Sequence, residues 1–171
     1  MILNTILEKY KNWYQYMHEN TDYFHGFSLK LFIPNITSLI ENSNIRTALD
    51  YGCGKAVLHA KYSLKEFWGL DKLDKYDPGV KEWSEPPTIK YDLIFCIDVM
   101  EHIEENDIDA VLQHIYNLTN RVTFFSISTR PAKKNLPDGT NAHKTVQSEQ
   151  WWCEKINNIF KDKLTIINFS S

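Results

Sequence analysis

Cysteine is scarce: three residues in 171, Cys53, Cys96 and Cys153. They are scattered, odd in number and without Cys-x-x-Cys or Cys/His spacing, which argues against a disulfide framework and against a zinc site. They read as reduced thiols of a cytoplasmic protein, and no metal ligand set is expected. Positive charge is not in excess either, since 19 Lys and Arg stand against 22 Asp and Glu for a net charge of -3. A phosphate backbone would therefore find little to neutralise it, and nucleic acid is not expected as a partner. No apolar run reaches the roughly 20 residues of a membrane span. The opening Met1-Ile2-Leu3 is interrupted by Asn4, Thr5, Glu8 and Lys9, so neither a signal peptide nor a membrane anchor is expected. Internal repeats and low-complexity tracts are absent.

What the sequence does have is the composition of a folded domain, with 43% apolar, 24% charged and 13% aromatic residues. Its length suits one core, so residues 1–171 are read as a single domain with residues 1–42 as an N-terminal helical cap. Leu3, Ile6, Tyr10, Trp13 and Met17 recur at helical spacing, predicting a helix that ends before Asn20 and Thr21. A second helix from about Ser28 carries Leu29, Phe32, Ile33, Ile36 and Ile40, with Pro34 expected to kink or split it.

Beyond residue 46 the pattern alternates between strands and helices. Thr47 to Tyr51 reads as a buried strand running into Gly52 and Gly54, Phe67 to Leu70 as a weaker strand, and Tyr91 to Ile97 as a central one. Ile108 to Leu118 predicts a helix capped by Asn106, Val122 to Ile127 a strand, Ser148 a cap on a helix through Phe160, and Leu164 to Phe169 a last strand. Thr129 to Gln147 is polar and long for a connection, which suggests function. The alternation predicts a mostly parallel α/β sheet with helices on both faces.

The strand, Asp50 and then Gly52-Cys53-Gly54 form the segment with most chemical content. Glycines allow a sharp turn and a close approach of ligand to backbone, although a tight turn without ligand has the same look. A phosphate-binding P-loop needs Gly-x-x-x-x-Gly-Lys-Ser/Thr, whereas here Gly54-Lys55 is followed by Ala56 and position 49 is Leu. A dinucleotide loop needs Gly-x-Gly-x-x-Gly or Ala, and the last place is Val57. The Asp50 carboxylate would also lie near a pyrophosphate. S-adenosylmethionine has no phosphate but carries an ammonium and a sulfonium, both favoured by a nearby anion.

This segment resembles the first motif of class I S-adenosylmethionine-dependent methyltransferases, an acidic residue followed by Gly-x-Gly-x-Gly. Asp50, Gly52 and Gly54 match, and Ala56 replaces the third glycine, a tolerable change if φ stays negative there. Tyr91 to Ile103, ending Asp98-Val99-Met100-Glu101-His102-Ile103, resembles the family's fourth strand and its acidic-hydrophobic-Leu-Glu-His-Ile ending. Taken alone, Glu101 and His102 would read as a helix-start carboxylate and a packed histidine. A small methyltransferase-like subset is resembled further in Tyr14-x-x-Met17-His18, Gly26-x-Ser28-Leu29, Tyr76-Asp77-Pro78-Gly79-Val80, Ser126 to Gly139, Asn141-Ala142-His143 and Trp151-Trp152.

The resemblance implies a Rossmann-like methyltransferase fold with a shortened C-terminal part and S-adenosylmethionine as cofactor. It implies a carboxylate after the second strand that binds the ribose hydroxyls. Asp77, in a Pro-Gly turn, is preferred over Asp71 for that role. Asp98 is expected beside the methionine half of the cofactor, with capping of the following turn as its structural alternative. His143 and His102 are the candidates for general base, their ordinary pKa lying near working pH. An Asp/Asn-Pro-Pro-Tyr motif and a Pro-Cys nucleophile are absent, leaving a small-molecule acceptor as the expectation. The rival reading is a non-catalytic cofactor-binding or interaction module, since the pattern shows no full seventh strand. The oligomeric state is not legible.

Overall fold

A computed structural model describes residues 2–21, 23–136 and 138–170, with the side chains of residues 2–7, 9 and 13 outside that description. Helix α1 (Ile2–Asn20) buries Tyr10 and Met17, the described members of the predicted apolar stripe; Leu3, Ile6 and Trp13 lie among the undescribed side chains. Helix α2 (Leu29–Ser43) runs unbroken through Pro34, so of the two expected outcomes, a kink or a split, the split does not occur. The carbonyl that a Pro34 N–H would have served belongs to exposed Lys30, where water can replace it. Asn44, in the left-handed region at φ 48°, ends α2 by donating its N–H to the Ile40 carbonyl.

Strand β1 (Thr47–Tyr51) follows the predicted run. After the glycine loop come two short helices, α3 (Val57–Lys61) and α4 (Leu64–Phe67), and then β2 (Lys72–Tyr76). The strand expected at Phe67 to Leu70 is thus displaced to Lys72. Phe67 closes α4, and Trp68 and Leu70 are buried in a turn made at Gly69. Lys-Leu-Asp-Lys-Tyr has little apolar content because β2 lies at the edge of the sheet.

Strand β3 (Tyr91–Ile97) is buried at every residue except half-buried Asp92. Helix α5 (Ile108–Leu118) starts at Asp107, not Asn106, after a 3-10 turn over Glu105–Asp107. Strand β4 (Thr119–Ser128) begins three residues before the predicted Val122. Ser148 does cap α6 (Glu149–Ile159), its hydroxyl accepting the Trp151 N–H at 3.2 Å, and β5 (Leu164–Ser170) closes the sheet.

Among the described residues the sheet has the order β2-β1-β3-β4-β5, with every neighbouring pair parallel. All carboxyl ends therefore share one edge. The chain leaves β1 for β2 on one side and reaches β3 on the other, so the strand order reverses between β1 and β3, where open α/β sheets bind ligands. Side chains of β3 alternate between two cores. Leu93, Phe95 and Ile97 pack with Ile36, Leu58 and Trp68; Ile94 and Cys96 pack with Leu112, Ile115 and Trp152. No helix among the described residues is long and apolar enough to cross a membrane, and the three cysteines are unpaired.

Candidate cofactor and acceptor site

At the end of β1 the chain turns through Gly52 at φ 81° and Gly54 at φ 57°. Ala56, in the place of the third glycine, also lies in the left-handed region at φ 47°, against the expectation of a negative φ. It keeps the conformation a glycine would have, at a strain of roughly 1–2 kcal/mol. The space beside the two glycine α-carbons belongs to the protein. A Cβ at Gly52 would fall 2.3 Å from a Val99 methyl, and one at Gly54 would fall 2.2 Å from the Phe24 carbonyl oxygen.

The loop N–H groups have partners within the chain. Gly52 and Cys53 donate to the Tyr76 carbonyl at 2.7 and 3.2 Å, and Gly54 to Asp77 Oδ2 at 2.8 Å. Lys55 donates to the Phe24 carbonyl, Ala56 to that of Cys53, and Val57 to that of His25. A phosphate cradle needs such donors free and pointing at the ligand. Here they are taken, so the loop suits a ligand without phosphate. Asp50, just before it, is buried and accepts from His59 Nε2 at 2.7 Å; burial raises its carboxyl above the usual range while the histidine opposes the rise.

Asp77 follows β2 directly. Its carboxylate accepts the Gly54 N–H and, at 2.9 Å, the Gly79 N–H, and His18 Nε2 lies 3.6 Å away. Asp71 precedes the same strand and is therefore at the opposite edge of the sheet, exposed in an ion pair with Arg46 at 2.9 Å. Asp98 follows β3 at φ 53°, and its carboxylate accepts the Ser126 hydroxyl at 2.9 Å, a bond across to β4.

The segment after Asp98 holds a buried acid to which the motif assigns no role. Glu101 is fully buried; Oε1 accepts the Ser128 N–H at 2.9 Å and Oε2 has no partner among the described residues. Burial, with the Asp98 charge beside it, pushes its carboxyl up to about 8, so it is largely neutral at pH 7. The sequence offers Glu101 only as a helix-start carboxylate, because its burial against Ser128 depends on a residue distant in the chain. His102 Nδ1 is 2.9 Å from the Ala142 carbonyl and His143 Nδ1 is 2.6 Å from the Arg130 carbonyl. A carbonyl only accepts, so each Nδ1 donates a proton to its carbonyl and Nε2 is the ring nitrogen left for a ligand. The rings meet edge to face with centroids 4.9 Å apart. Burial first, then His143, lowers His102 to about 4.

The described residues between 129 and 147 form a folded loop. The Asn141 side chain accepts the N–H groups of Ala132 and His143 and donates to the Ala132 carbonyl, each at 2.9 Å. Thr145 Oγ1 donates to the Ile103 carbonyl at 2.7 Å, and Leu136 and Ala142 are buried against Met17. Pro137 lies outside the described residues.

One cavity of about 610 Å³ touches Asp50, Gly52, Gly54, Asp77, Asp98, His102 and His143, the seven residues selected from sequence. Its sheet-edge wall carries the three aspartates, its loop wall Arg130, Lys133 and His143, and α1 with the following segment adds Tyr14, His18 and Phe24. The volume is within the range of small-molecule sites. Carboxylates without phosphate-binding N–H groups suit a cationic, phosphate-free cofactor such as S-adenosylmethionine. Among the described residues no cluster of three or more His, Cys, Asp or Glu is arranged to hold a metal ion.

Fold and site together define a Rossmann-type α/β domain whose ligand crevice carries carboxylates at the sheet edge. The family described as Methyltransferase domain matches residues 11–171. The chain belongs to that family and is a class I S-adenosylmethionine-dependent methyltransferase, with S-adenosylmethionine as its cofactor. A solved structure described as the DhpI-SAH complex is similar in fold, with a TM-score of 0.51 at 13% identity over 91% of this chain and 88% of that one. No curated protein sequence matches.

Proposed function

We propose that the chain transfers a methyl group to a small-molecule acceptor seated between the sheet-edge wall and the 129–147 loop. The observation that carries this reading is the shared cavity, which brings carboxylates and two imidazoles onto one ligand space. The cofactor, when bound, supplies an electrophilic methyl on a sulfonium. Asp77 accepts from the ribose hydroxyls, a role its position after β2 supports. Asp50 and Asp98 favour the cationic methionine half. The first 42 residues act as a cap, with Tyr14 and Phe24 excluding water from the reacting groups. His102 and His143 take the proton of an acceptor that arrives protonated, through Nε2. Positioning alone contributes on the order of 7–11 kcal/mol to lowering such a barrier.

The test is calorimetric titration with S-adenosylhomocysteine, the cofactor without its transferable methyl, followed by labelled methyl transfer to a panel of hydroxylated acceptors. His143→Ala is expected to bind S-adenosylhomocysteine as the parent does and to lose on the order of 10²-fold or more in turnover. Full activity in His143→Ala and in His102→Gln would remove the proton-acceptor assignment. Failure of the parent chain to bind S-adenosylhomocysteine would remove the whole reading.

A further inference from the structure

We infer that the acceptor carries an oxyanion, a carboxylate or a phosphoryl group, and that Arg130 and Lys133 hold it against the loop wall of the cavity. The inference rests on the methyl-transfer reading for what the ligand is, but its own ground is charge placement. Both residues are exposed on the loop and, with Lys134, line the cavity, and neither makes an ion pair with a carboxylate among the described residues. Their basic neighbours are engaged differently. Lys134 Nζ lies 3.6 Å from the centre of the Tyr23 ring, and Lys144 Nζ donates to Thr140 Oγ1 at 2.5 Å.

A run of Lys and Arg on a loose loop is ordinarily a solvated face. Here the backbone between the two cations is pinned at Ala132 by the pair of Asn141 hydrogen bonds, and the Arg130 carbonyl is held by His143. The two positive groups therefore spring from fixed points above the cavity. Asp50, Asp77 and Asp98 line the same cavity from the ends of β1, β2 and β3, whereas the two cations follow β4, so the charge of the lining changes sign along the sheet edge. An anion is repelled at the sheet edge and drawn to the loop. The guanidinium fork also matches the paired oxygens of a carboxylate or phosphoryl group.

The test uses two probes, potassium sulfate and potassium acetate, at constant ionic strength set with chloride. They are titrated into the intact chain with and without S-adenosylhomocysteine, following the backbone amide NMR signals of residues 129–134. Saturable shifts are expected with at least one probe, weakened about tenfold or more by Arg130→Gln and by Lys133→Gln. Lys134→Gln is expected to change the affinity by less than about twofold. Saturation by sulfate alone identifies a phosphoryl-like group, and saturation by acetate alone a carboxylate. Shifts that stay linear, that chloride reproduces, or that survive both substitutions overturn the inference. Calorimetry with S-adenosylhomocysteine on the same samples separates the two failures. Cofactor binding without anion binding overturns only this inference, whereas anion binding without cofactor binding overturns the methyl-transfer reading.

Discussion

The two walls of the cavity are built on different principles. The sheet-edge wall is made of residues that immediately follow strands: Asp77 after β2, Asp98 after β3, and the glycine loop after β1. Its backbone donors are consumed internally, and its charge is negative. The loop wall is made of residues far apart in sequence, His102 and His143 among them, joined by side chain to carbonyl hydrogen bonds. Its cations, Arg130 and Lys133, have no carboxylate partner among the described residues. The first wall is rigid through the parallel sheet, and the second through a few polar ties. Damage to the first should therefore register as lost stability or cofactor affinity, and damage to the second as lost turnover.

The largest effect that would sharpen this contrast is on the glycine loop. Gly54→Ala places a Cβ against the fixed Phe24 carbonyl in the left-handed region, with an expected loss of about 3 kcal/mol or more in urea denaturation. Gly52→Ala meets first the Val99 side chain, which can shift, and should lose about 2 kcal/mol. Such variants report on folding of the loop before they report on ligand. A Gly54→Ala protein of parental stability would break the picture of a loop closed on itself.

Next in size is the carboxylate pair around β2. Asp77→Asn is expected to weaken S-adenosylhomocysteine binding by about 1.5–3 kcal/mol, whereas Asp71→Asn removes only a surface pair and should leave calorimetric affinity unchanged. The reverse ranking would move the ribose site to the other end of the strand.

The pH dependence of stability tests the boundary between the walls. Glu101 rises from 4.5 in the unfolded chain to about 8 when folded. Its contribution is fully present below pH 4.5 and is lost as pH rises through about 8, by up to about 1.4 kcal/mol per unit. His102 falls from 6.5 to about 4, so the unfolded chain binds the extra proton between these values and stability rises with pH across them. The two slopes oppose each other between pH 4.5 and 6.5, and from 6.5 to 8 only the Glu101 loss remains, about 2 kcal/mol at most. Glu101→Gln should abolish the fall above pH 6.5 and expose the rise below it. Denaturation midpoints of Glu101→Gln that track the parent from pH 6.5 to 8 would show an ionised Glu101.

The smallest effect concerns Ala56. Relief of its left-handed strain is offset by the lost burial of one methyl group, so Ala56→Gly is expected to stabilise by less than about 1 kcal/mol. A clear loss in urea denaturation would mean that the methyl packing outweighs the strain.

The sheet-edge wall is the legible half. A strand that ends in Asp50-Tyr51-Gly52 carries its own marker, because a buried apolar run and a turn requiring positive φ are both local properties. The same holds for Tyr91 to Asp98 and for the cap at Ser148. The position of β2 is not legible, because an edge strand with charged residues lacks the apolar run that marks a central one, and Trp68 and Leu70 supply that run from a turn. That Pro34 does not split α2 is not legible, because sequence does not say that the carbonyl it orphans faces water. Ala56 misleads for a related reason, since residue type alone does not report the φ that packing against Phe24 to Gly26 imposes.

By itself, then, the sequence determined the α/β alternation, the acidic glycine loop and the order of the motifs, all of which arise from neighbours in the chain. Only the tertiary structure decided which atoms of those residues are free. It consumed the loop N–H groups, left Glu101 Oε2 without a partner among the described residues, turned Nδ1–H of His102 and His143 to backbone carbonyls, and brought Arg130 and Lys133 to the cavity that three aspartates also line. Burial, hydrogen-bond partnership and field depend on groups distant in sequence, 40 residues apart for His102 and Ala142, and no local pattern encodes them.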